Sequence, residues 1–374
     1  MRILVTGGLG FIGVKLARKL ANAGHEVALF DSLTAQVHGA LPRLGSQDLG
    51  DFEIVRADIR DADALTAQVR IADAVVHLAA ETGTGQSMYR IAHYYDVNVR
   101  GTAMLLEALA AAGPEAKSLV IASSRSVYGE GAYTAPDGRL VVPDPRRMED
   151  LAAGRFEPVG PKGERLELRA TPEDAPTKPA SMYAATKLAM EDMCRVFSDS
   201  YGARVAALRF QNVYGAGQSL TNPYTGVLST FSTRMRLGKP IDLFEDGEVS
   251  RDFVHVDDVT RSIELALKAG IKGYHAFNVG SGEATPIRRM AELMKQILGS
   301  SSELGVTGKF RAGDIRHCYA DLSRVRRELG FESAISLEDG LRGFCDWALT
   351  LPVPDDRSEA AMAELNARAL GGGR

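Results

Sequence analysis

Tyr183 and Lys187 stand four positions apart in the run Tyr183-Ala184-Ala185-Thr186-Lys187, a spacing that puts both side chains on one face of a helix, one turn apart. An ammonium beside a phenol favours the phenolate. A tyrosine, whose free pKa is about 10, needs such a cation before it can act as a base near neutral pH. Alone, the pair is also what an ordinary amphipathic helix carries. A second group narrows the chemistry: Gly7-Gly8-Leu9-Gly10-Phe11-Ile12-Gly13 follows directly on the apolar run Ile3-Leu4-Val5.

The elements that must hold these groups can be read from the pattern. Arg2–Thr6 reads as a short strand without alternation, as expected where a parallel sheet is covered on both faces. Gly8, Gly10 and Gly13 fit the dinucleotide fingerprint, and Gly7, Gly10 and Gly13 fit its three-spaced variant. Either set allows a tight turn and close approach to a pyrophosphate. Phe11, Ile12, Leu16 and Leu20 mark one face of a helix ending near Gly24, and the free amides at its start favour an anion without any basic side chain. A second strand over residues 25–30 ends at Asp31, eighteen residues beyond Gly13, where a carboxylate can accept the adenosine ribose hydroxyls. That acid, followed by Ser32-Leu33-Thr34 with no arginine, selects NAD over NADP because it repels a 2′-phosphate. A turn or helix-capping aspartate is the other reading of the position. Glycine run and Tyr/Lys pair together point to a nicotinamide-dependent enzyme.

With 374 residues, 45% of them hydrophobic, the chain can form a nucleotide domain and a second lobe. Strand patterns at 52–55, 74–78, 118–122 and Arg204–Phe210 alternate with helical ones at 97–112 and Met182–Tyr201. They predict an α/β fold on a doubly wound parallel sheet. The nucleotide domain is expected over 1–215, with a proline-rich excursion at about 130–180. A smaller, mainly helical C-terminal substrate lobe, interleaved with it, is expected over 216–350, with helices at 257–269 and 287–298. In the excursion, Gly160-Pro161-Lys162-Gly163 predicts a hairpin between 156–159 and 166–168, and 351–374 reads as a tail, a frayed helix or disordered. A net charge of −4 argues against nucleic acid or an anionic membrane as partner. No apolar run reaches the roughly 18 residues of a membrane span. No leader pattern precedes the first strand, so a cytoplasmic location is expected. Cys194, Cys318 and Cys345 suit reduced packing positions, and no metal is expected.

Further motifs run through the chain: Leu78-Ala79-Ala80, Asn98, Ser123-Ser124-Arg125-Ser126-Val127-Tyr128-Gly129, Arg209-Phe210-Gln211-Asn212-Val213-Tyr214-Gly215, and Ser250-Arg251-Asp252-Phe253-Val254-His255-Val256-Asp257-Asp258. With the glycine run and the Tyr/Lys pair, they resemble the extended short-chain dehydrogenase/reductase family in its nucleotide-sugar epimerase and dehydratase branch, from Met1 to about Trp347. The resemblance implies a Rossmann-type fold, NAD as cofactor and a nucleotide-diphosphate sugar as substrate. It assigns catalysis to Ser124, Tyr183 and Lys187: Tyr183 takes the proton of the sugar 4-hydroxyl, Lys187 lowers the tyrosine pKa and holds the nicotinamide ribose, and Ser124 orients the hydroxyl. Around the cofactor it places Gly7, Gly10, Phe11, Ile12, Gly13, Asp31, Asp58, Ile59, Leu78, Ala79, Ala80, Asn98 and Phe210 with Tyr183 and Lys187. Asp58 would meet the adenine and Phe210 would border the nicotinamide. Thr82, Ser124, Arg125, Asn212, Arg251 and Arg311 would face the substrate, the two last as phosphate clamps.

The 4,6-dehydratases of that branch carry Asp and Glu directly after the serine, where this chain has Arg125 and Ser126. The implied reaction is therefore C4 inversion by transient oxidation and hydride return, not elimination of water. Residues 36–39, 81–89 and 222–227 are similar to those of dTDP-L-rhamnose 4-epimerases, which implies dTDP-6-deoxy-L-talose as product. A nucleotide-sugar 4-ketoreductase or dehydrogenase, another NDP-hexose epimerase, and a non-catalytic NAD-sensing regulator stand as alternatives. Family members pair through the helices bearing Asn98 and Tyr183, so a homodimer is expected.

Overall fold

The computed structural model describes residues 1–38, 52–114, 117–222 and 226–372. The similarity segments at 36–39 and 222–227 therefore lie partly outside the described residues. Seven strands form one parallel sheet: β1 (Arg2–Thr6), β2 (Glu26–Asp31), β3 (Glu53–Arg56), β4 (Ala74–His77), β5 (Ser118–Ser124), β6 (Arg204–Phe210) and β7 (Tyr274–Val279). Their order is β7-β6-β5-β4-β1-β2-β3. It reverses between β1 and β4, which opens a crevice outside the carboxyl ends of the strands. β7 comes from beyond residue 216, so the two expected lobes share the sheet.

The lack of alternation in Ile3-Leu4-Val5 has the expected cause. Ile3 and Val5 pack with Leu16 and Leu20 of α1 (Phe11–Asn22) on one face. Leu4 packs on the other with Leu65 and Val69 of α2 (Ala62–Ile71), Leu105 and Leu109 of α3 (Gly101–Ala111), and Phe197 of α4 (Met182–Tyr201). Successive side chains of a strand point to opposite faces, and here both faces are covered. A separate core gathers α5 (Val227–Arg236), α7 (Ile287–Ile297) and α8 (Leu337–Leu349) around Phe231, Met290, Met294 and Phe344, while α6 (Val256–Ala269) packs on the main sheet through Val259 and Ile263. Among the described residues no helix is long and apolar enough to cross a membrane. The three cysteines are buried and unpaired.

Three expectations are corrected. The helix expected to begin at residue 97 starts at Ile91 and passes through a π-helical turn at Asp96–Arg100 before α3. Apolar spacing cannot show such a widened turn. The hairpin in the excursion reduces to one bridge, Val159 to Arg165, because Glu167–Leu168 pairs with Tyr133–Thr134 instead. A buried ionic chain, Glu130–Arg146–Glu245–Arg316, ties the excursion to the second lobe with contacts of 2.8, 2.9 and 3.0 Å. Through Gly372 the tail is ordered: α9 (Ser358–Asn366) buries Leu365, and Gly371–Gly372 pairs with Phe310–Arg311.

Helix α4 is fastened to the sheet by charge. Glu191 accepts from Arg209 Nη2 at 2.7 Å, from the Ser123 hydroxyl and from Tyr274 Oη at 3.1 Å, with both members of the ion pair buried. Removing one partner of a buried pair strands the other charge, at about 3–5 kcal/mol. Glu191→Ala should lower stability by that amount in urea unfolding. A loss below about 1 kcal/mol would show that the pair does not hold α4.

Candidate active site

β5 ends at Ser124, which pairs in register with Phe210 at the end of β6, so both arrive at the crevice side by side. Ser124 caps the following turn, accepting from Ser126 N–H at 3.2 Å and from the Ser126 hydroxyl at 2.9 Å. Ser181 caps α4 by accepting from Ala184 N–H at 3.2 Å. That cap sets the first turn of the helix, and with it Tyr183, whose phenol lies close enough to Ser124 for the serine to act on its pKa. Lys187, 3% exposed, donates from Nζ to Ala122 O at 2.8 Å and lies 5.9 Å from the Tyr183 ring centroid. Burial pulls the Lys187 ammonium down to about 8, against the opposing pull of Glu191.

Burial raises the Tyr183 phenol above its ordinary value, while the Ser124 hydrogen bond and the Arg125 guanidinium act to lower it. The Lys187 ammonium, beside the Tyr183 ring, donates to a backbone carbonyl, and the Arg125 guanidinium adds a second cation that opposes burial. Arg125 is half-buried and has no ion-pair partner among the described residues. With Thr84, Ser126, Ser181, Gly313, Asp314 and Ile315 it lines a small pocket beside Ser124 and Tyr183. Thr82 is exposed and holds only a backbone contact, Tyr94 Oη to Thr82 O at 2.6 Å. Thr84, two positions on, is the residue at the pocket, and a loop whose path depends on Gly83 gives sequence reading no means to choose between them.

The glycine turn answers which of two registers applies. Gly7 takes φ +66°, and a Cβ there would lie 2.7 Å from Ala79 N; one at Gly13 would lie 2.5 Å from Gly8 O. The tight-turn glycine is thus Gly7, pressed against the Leu78-Ala79 segment, with Gly10 at the start of α1. α1 begins with no side-chain cap, which leaves its first N–H groups to an outside acceptor. These residues fit a dinucleotide. Phe11 and Ile12 lie in the first turn of α1, half-buried. Asp31 closes the turn: its oxygens accept from Leu9 N–H at 3.0 Å and Leu33 N–H at 2.8 Å. Burial alone would raise its carboxyl, but His38 and those two N–H groups hold it below the usual range. A carboxylate has acceptor capacity beyond two bonds, so ribose hydroxyls can still be received.

Two expected cofactor residues are otherwise engaged. Asn98 accepts from Glu81 N–H at 2.8 Å and donates to Glu81 O at 3.1 Å and Thr186 Oγ1 at 3.0 Å. It spends its amide tying the Leu78-Ala79-Ala80 loop to α4, and this positions both. Asp58 is gripped by the Arg60 guanidinium at 2.7 Å, which holds its carboxyl below the usual range. Ile59 is buried against Gly101, where a Cβ would lie 2.6 Å from Ile59 Cγ2.

On the substrate side, Arg251 is buried and donates only to carbonyls: Ser250 O at 2.7 Å, Arg316 O at 3.1 Å and Ile315 O at 2.8 Å. Burial and the neighbouring Arg125 push it down to about 10. Its N–H groups reach only carbonyls, with Asp314 and Glu130 acting on it from beyond ion-pair distance, and a buried cation so placed suits an anionic ligand. Asn212 keeps its side-chain oxygen, and Gln211 both side-chain polar atoms, buried without a hydrogen-bond partner among the described residues. Arg311 lies over the Phe244 ring at 4.6 Å.

Residues 3–148 and 152–280 match the NAD dependent epimerase/dehydratase family. The chain is 40% identical over 349 residues to a dTDP-L-rhamnose 4-epimerase of Burkholderia thailandensis, covering 92% of this chain and 94% of that one. It is 32% identical over 346 residues to the UDP-glucose 4-epimerase of Mycolicibacterium smegmatis, covering 91% and 96%. Among solved structures it is similar to UDP-glucose 4-epimerase from Thermotoga maritima with UDP-glucose, at TM-score 0.77, 28% identity and 94% and 99% coverage. It is also similar to UDP-glucuronic acid 4-epimerase from Bacillus cereus with UDP-glucuronic acid and NAD, at TM-score 0.76, 28% identity and 94% and 100% coverage.

A base must be deprotonated, and removing a nearby cation raises a phenol further. Turnover should therefore rise with pH on an acid limb set by Tyr183, and Arg125→Ala should move that limb to higher pH. A pH–kcat profile with an unmoved limb would remove Arg125 from the ionisation of Tyr183.

Proposed function

The chain belongs to the NAD-dependent epimerase/dehydratase family and is an NAD-dependent nucleotide-sugar 4-epimerase; from that premise we propose that it interconverts dTDP-L-rhamnose and dTDP-6-deoxy-L-talose. The observation that carries the C4 chemistry is the meeting of Ser124 and Tyr183 at the end of β5, followed by Arg125 and Ser126 where an eliminating enzyme needs an acid and a base. The 40% identical relative supports the sugar.

Ser124 orients the sugar 4-hydroxyl toward the Tyr183 oxygen. Tyr183, as phenolate, takes that proton when C4 is oxidised and gives it back when the carbonyl is reduced on its other face. Bound NAD supplies the hydride acceptor and donor, so the sugar is inverted with no net redox. Gly7, Gly10, Gly13 and the start of α1 would hold the pyrophosphate, Asp31 a ribose, Lys187 the nicotinamide ribose and Phe210 one side of the nicotinamide. Arg251, Arg311 and Asn212 would hold the substrate diphosphate.

Arg125 favours a second reading. An unpaired guanidinium in the sugar pocket suits a nucleotide uronate, whose C6 carboxylate would neutralise it. The purified protein, with no cofactor added, should convert dTDP-L-rhamnose to a mixture of C4 epimers seen by proton NMR. Inertness toward that sugar, even with added NAD, together with conversion of UDP-glucuronic acid would establish the second reading. Tyr183→Phe should reduce turnover by about 10²–10⁴ while dTDP binding is kept. Wild-type turnover in that variant would refute the base assignment.

The proposal includes a cytoplasmic homodimer. Ile91 and Tyr95, 48% and 59% exposed, and Val196 and Tyr201 of α4, 54% and 51% exposed, present apolar surface on the two helices expected to pair. Sedimentation equilibrium should give twice the chain mass, and a monomer at micromolar concentration would exclude that interface.

A further inference from the structure

We propose that residues 356–372 form a strap that belongs to the nucleotide-sugar site, positioning Arg311 and joining the two walls of the sugar pocket; this rests on the reading of Arg311 as a phosphate-binding cation. The pocket beside Ser124 and Tyr183 has Thr84 on one wall and Gly313, Asp314 and Ile315 on the other. The strap touches the segments that carry both. Its start is pinned to the second lobe, where buried Asp356 pairs with Arg234 at 3.1 Å and Lys239 at 3.0 Å. α9 then passes Arg311, whose Nε donates to Met362 Sδ at 3.2 Å. Leu365, 4% exposed, lies against Gly85, next to Thr84, so that a Cβ on Gly85 would sit 3.5 Å from Leu365 Cδ1. Arg368 covers the Tyr89 ring at 4.3 Å.

After α9 the chain turns back at Ala369 in the left-handed region, φ +55°, a conformation that a non-glycine residue adopts only where its surroundings impose it. It then runs as Gly371–Gly372 antiparallel to Phe310–Arg311, with Ala312 N–H donating to Leu370 O at 2.9 Å. The two glycines are there for fit. A Cβ at Gly371 would lie 2.5 Å from Asn366 Oδ1, and one at Gly372 would lie 2.5 Å from Phe310 Cζ. Arg311 has no ion pair among the described residues. It is held by the Phe244 face, the Met362 thioether and the pairing with Gly371. A guanidinium oriented without a carboxylate keeps its charge and its remaining N–H donors for a phosphate. Two of its three supports come from the strap, which lies beyond residue 280, where the family match ends.

The test compares Leu365→Asp, which unseats α9 from Gly85, Met362→Ala, which releases Arg311, and the conservative Leu365→Met with the wild-type enzyme. Binding of dTDP is measured by calorimetry, KM and kcat on the nucleotide sugar turned over, and hydrogen exchange of 358–372 with and without dTDP. Leu365→Asp and Met362→Ala should raise both Kd for dTDP and KM about tenfold while kcat changes less than about twofold. Leu365→Met should match the wild type, and dTDP should slow exchange across 358–372 in the wild type. Unchanged Kd and KM, with exchange indifferent to dTDP, would overturn the strap even if Tm fell. Should the wild type bind UDP in place of dTDP, only the base assignment fails and the UDP arm decides the strap by the same criteria. A wild type that binds neither diphosphate overturns the Arg311 reading and the strap together.

Discussion

Burying Glu191 against Arg209 locks α4 to the ends of two strands at once. Glu191 sits one turn beyond Lys187, Arg209 precedes Phe210 on β6, and Ser123, which also donates to Glu191, precedes Ser124 on β5. Two charges removed from water tolerate little displacement, because each depends on the other for compensation. With that pair in place, Tyr183 meets Ser124 and Lys187 meets Ala122 O. Thr186 takes the Asn98 amide that carries the Leu78-Ala79-Ala80 loop. The π-helical turn at Asp96–Arg100 falls where Asn98 must reach both Glu81 and Thr186.

Around this fixed point the fold leaves positive charge unneutralised, in a chain whose net charge is −4. The uncapped start of α1, Arg125, Arg251 and Arg311 form no ion pair among the described residues, Asp314 and Glu130 acting on Arg251 only from beyond ion-pair distance. An anion would relieve their unfavourable burial, which with the neighbouring Arg125 pushes Arg251 down to about 10. Two anionic parts are accommodated separately. In the proposed reading the glycine turn and Asp31 would receive one nucleotide at the switch in strand order, and the arginines would receive another across the crevice.

Much of this was legible in the sequence because the signals are local. Ile3-Leu4-Val5 reads as a doubly covered strand, and Met182–Tyr201 and Arg204–Phe210 fall where spacing put them. The choice between Gly7 and Gly8 as the turn glycine needed a φ angle and the approach of Ala79. The state of Tyr183 could not be read from a four-residue spacing, because burial, which raises the phenol, and Ser124 and Arg125, which act to lower it, come from residues distant in sequence. What Asn98 and Asp58 bond to needed the fold: Asn98 donates to Thr186, far along the chain, and Asp58 accepts from Arg60. The tail failed for a compositional reason: Gly371 and Gly372 resemble a flexible end, yet each packs where a Cβ would lie 2.5 Å from a neighbouring side chain.

The central claim is that Ser124 and Tyr183 serve a C4 hydrogen that departs and returns as hydride. Turnover in D2O tests it most directly, with the sugar product analysed by NMR and mass spectrometry. Inversion at C4 with no deuterium in the carbon-bound positions is the predicted result, since the same hydrogen comes back. Deuterium at C4, or at C3 or C5 beside it, would mean that a carbon-bound proton had exchanged with solvent, and would contradict hydride transfer at this site.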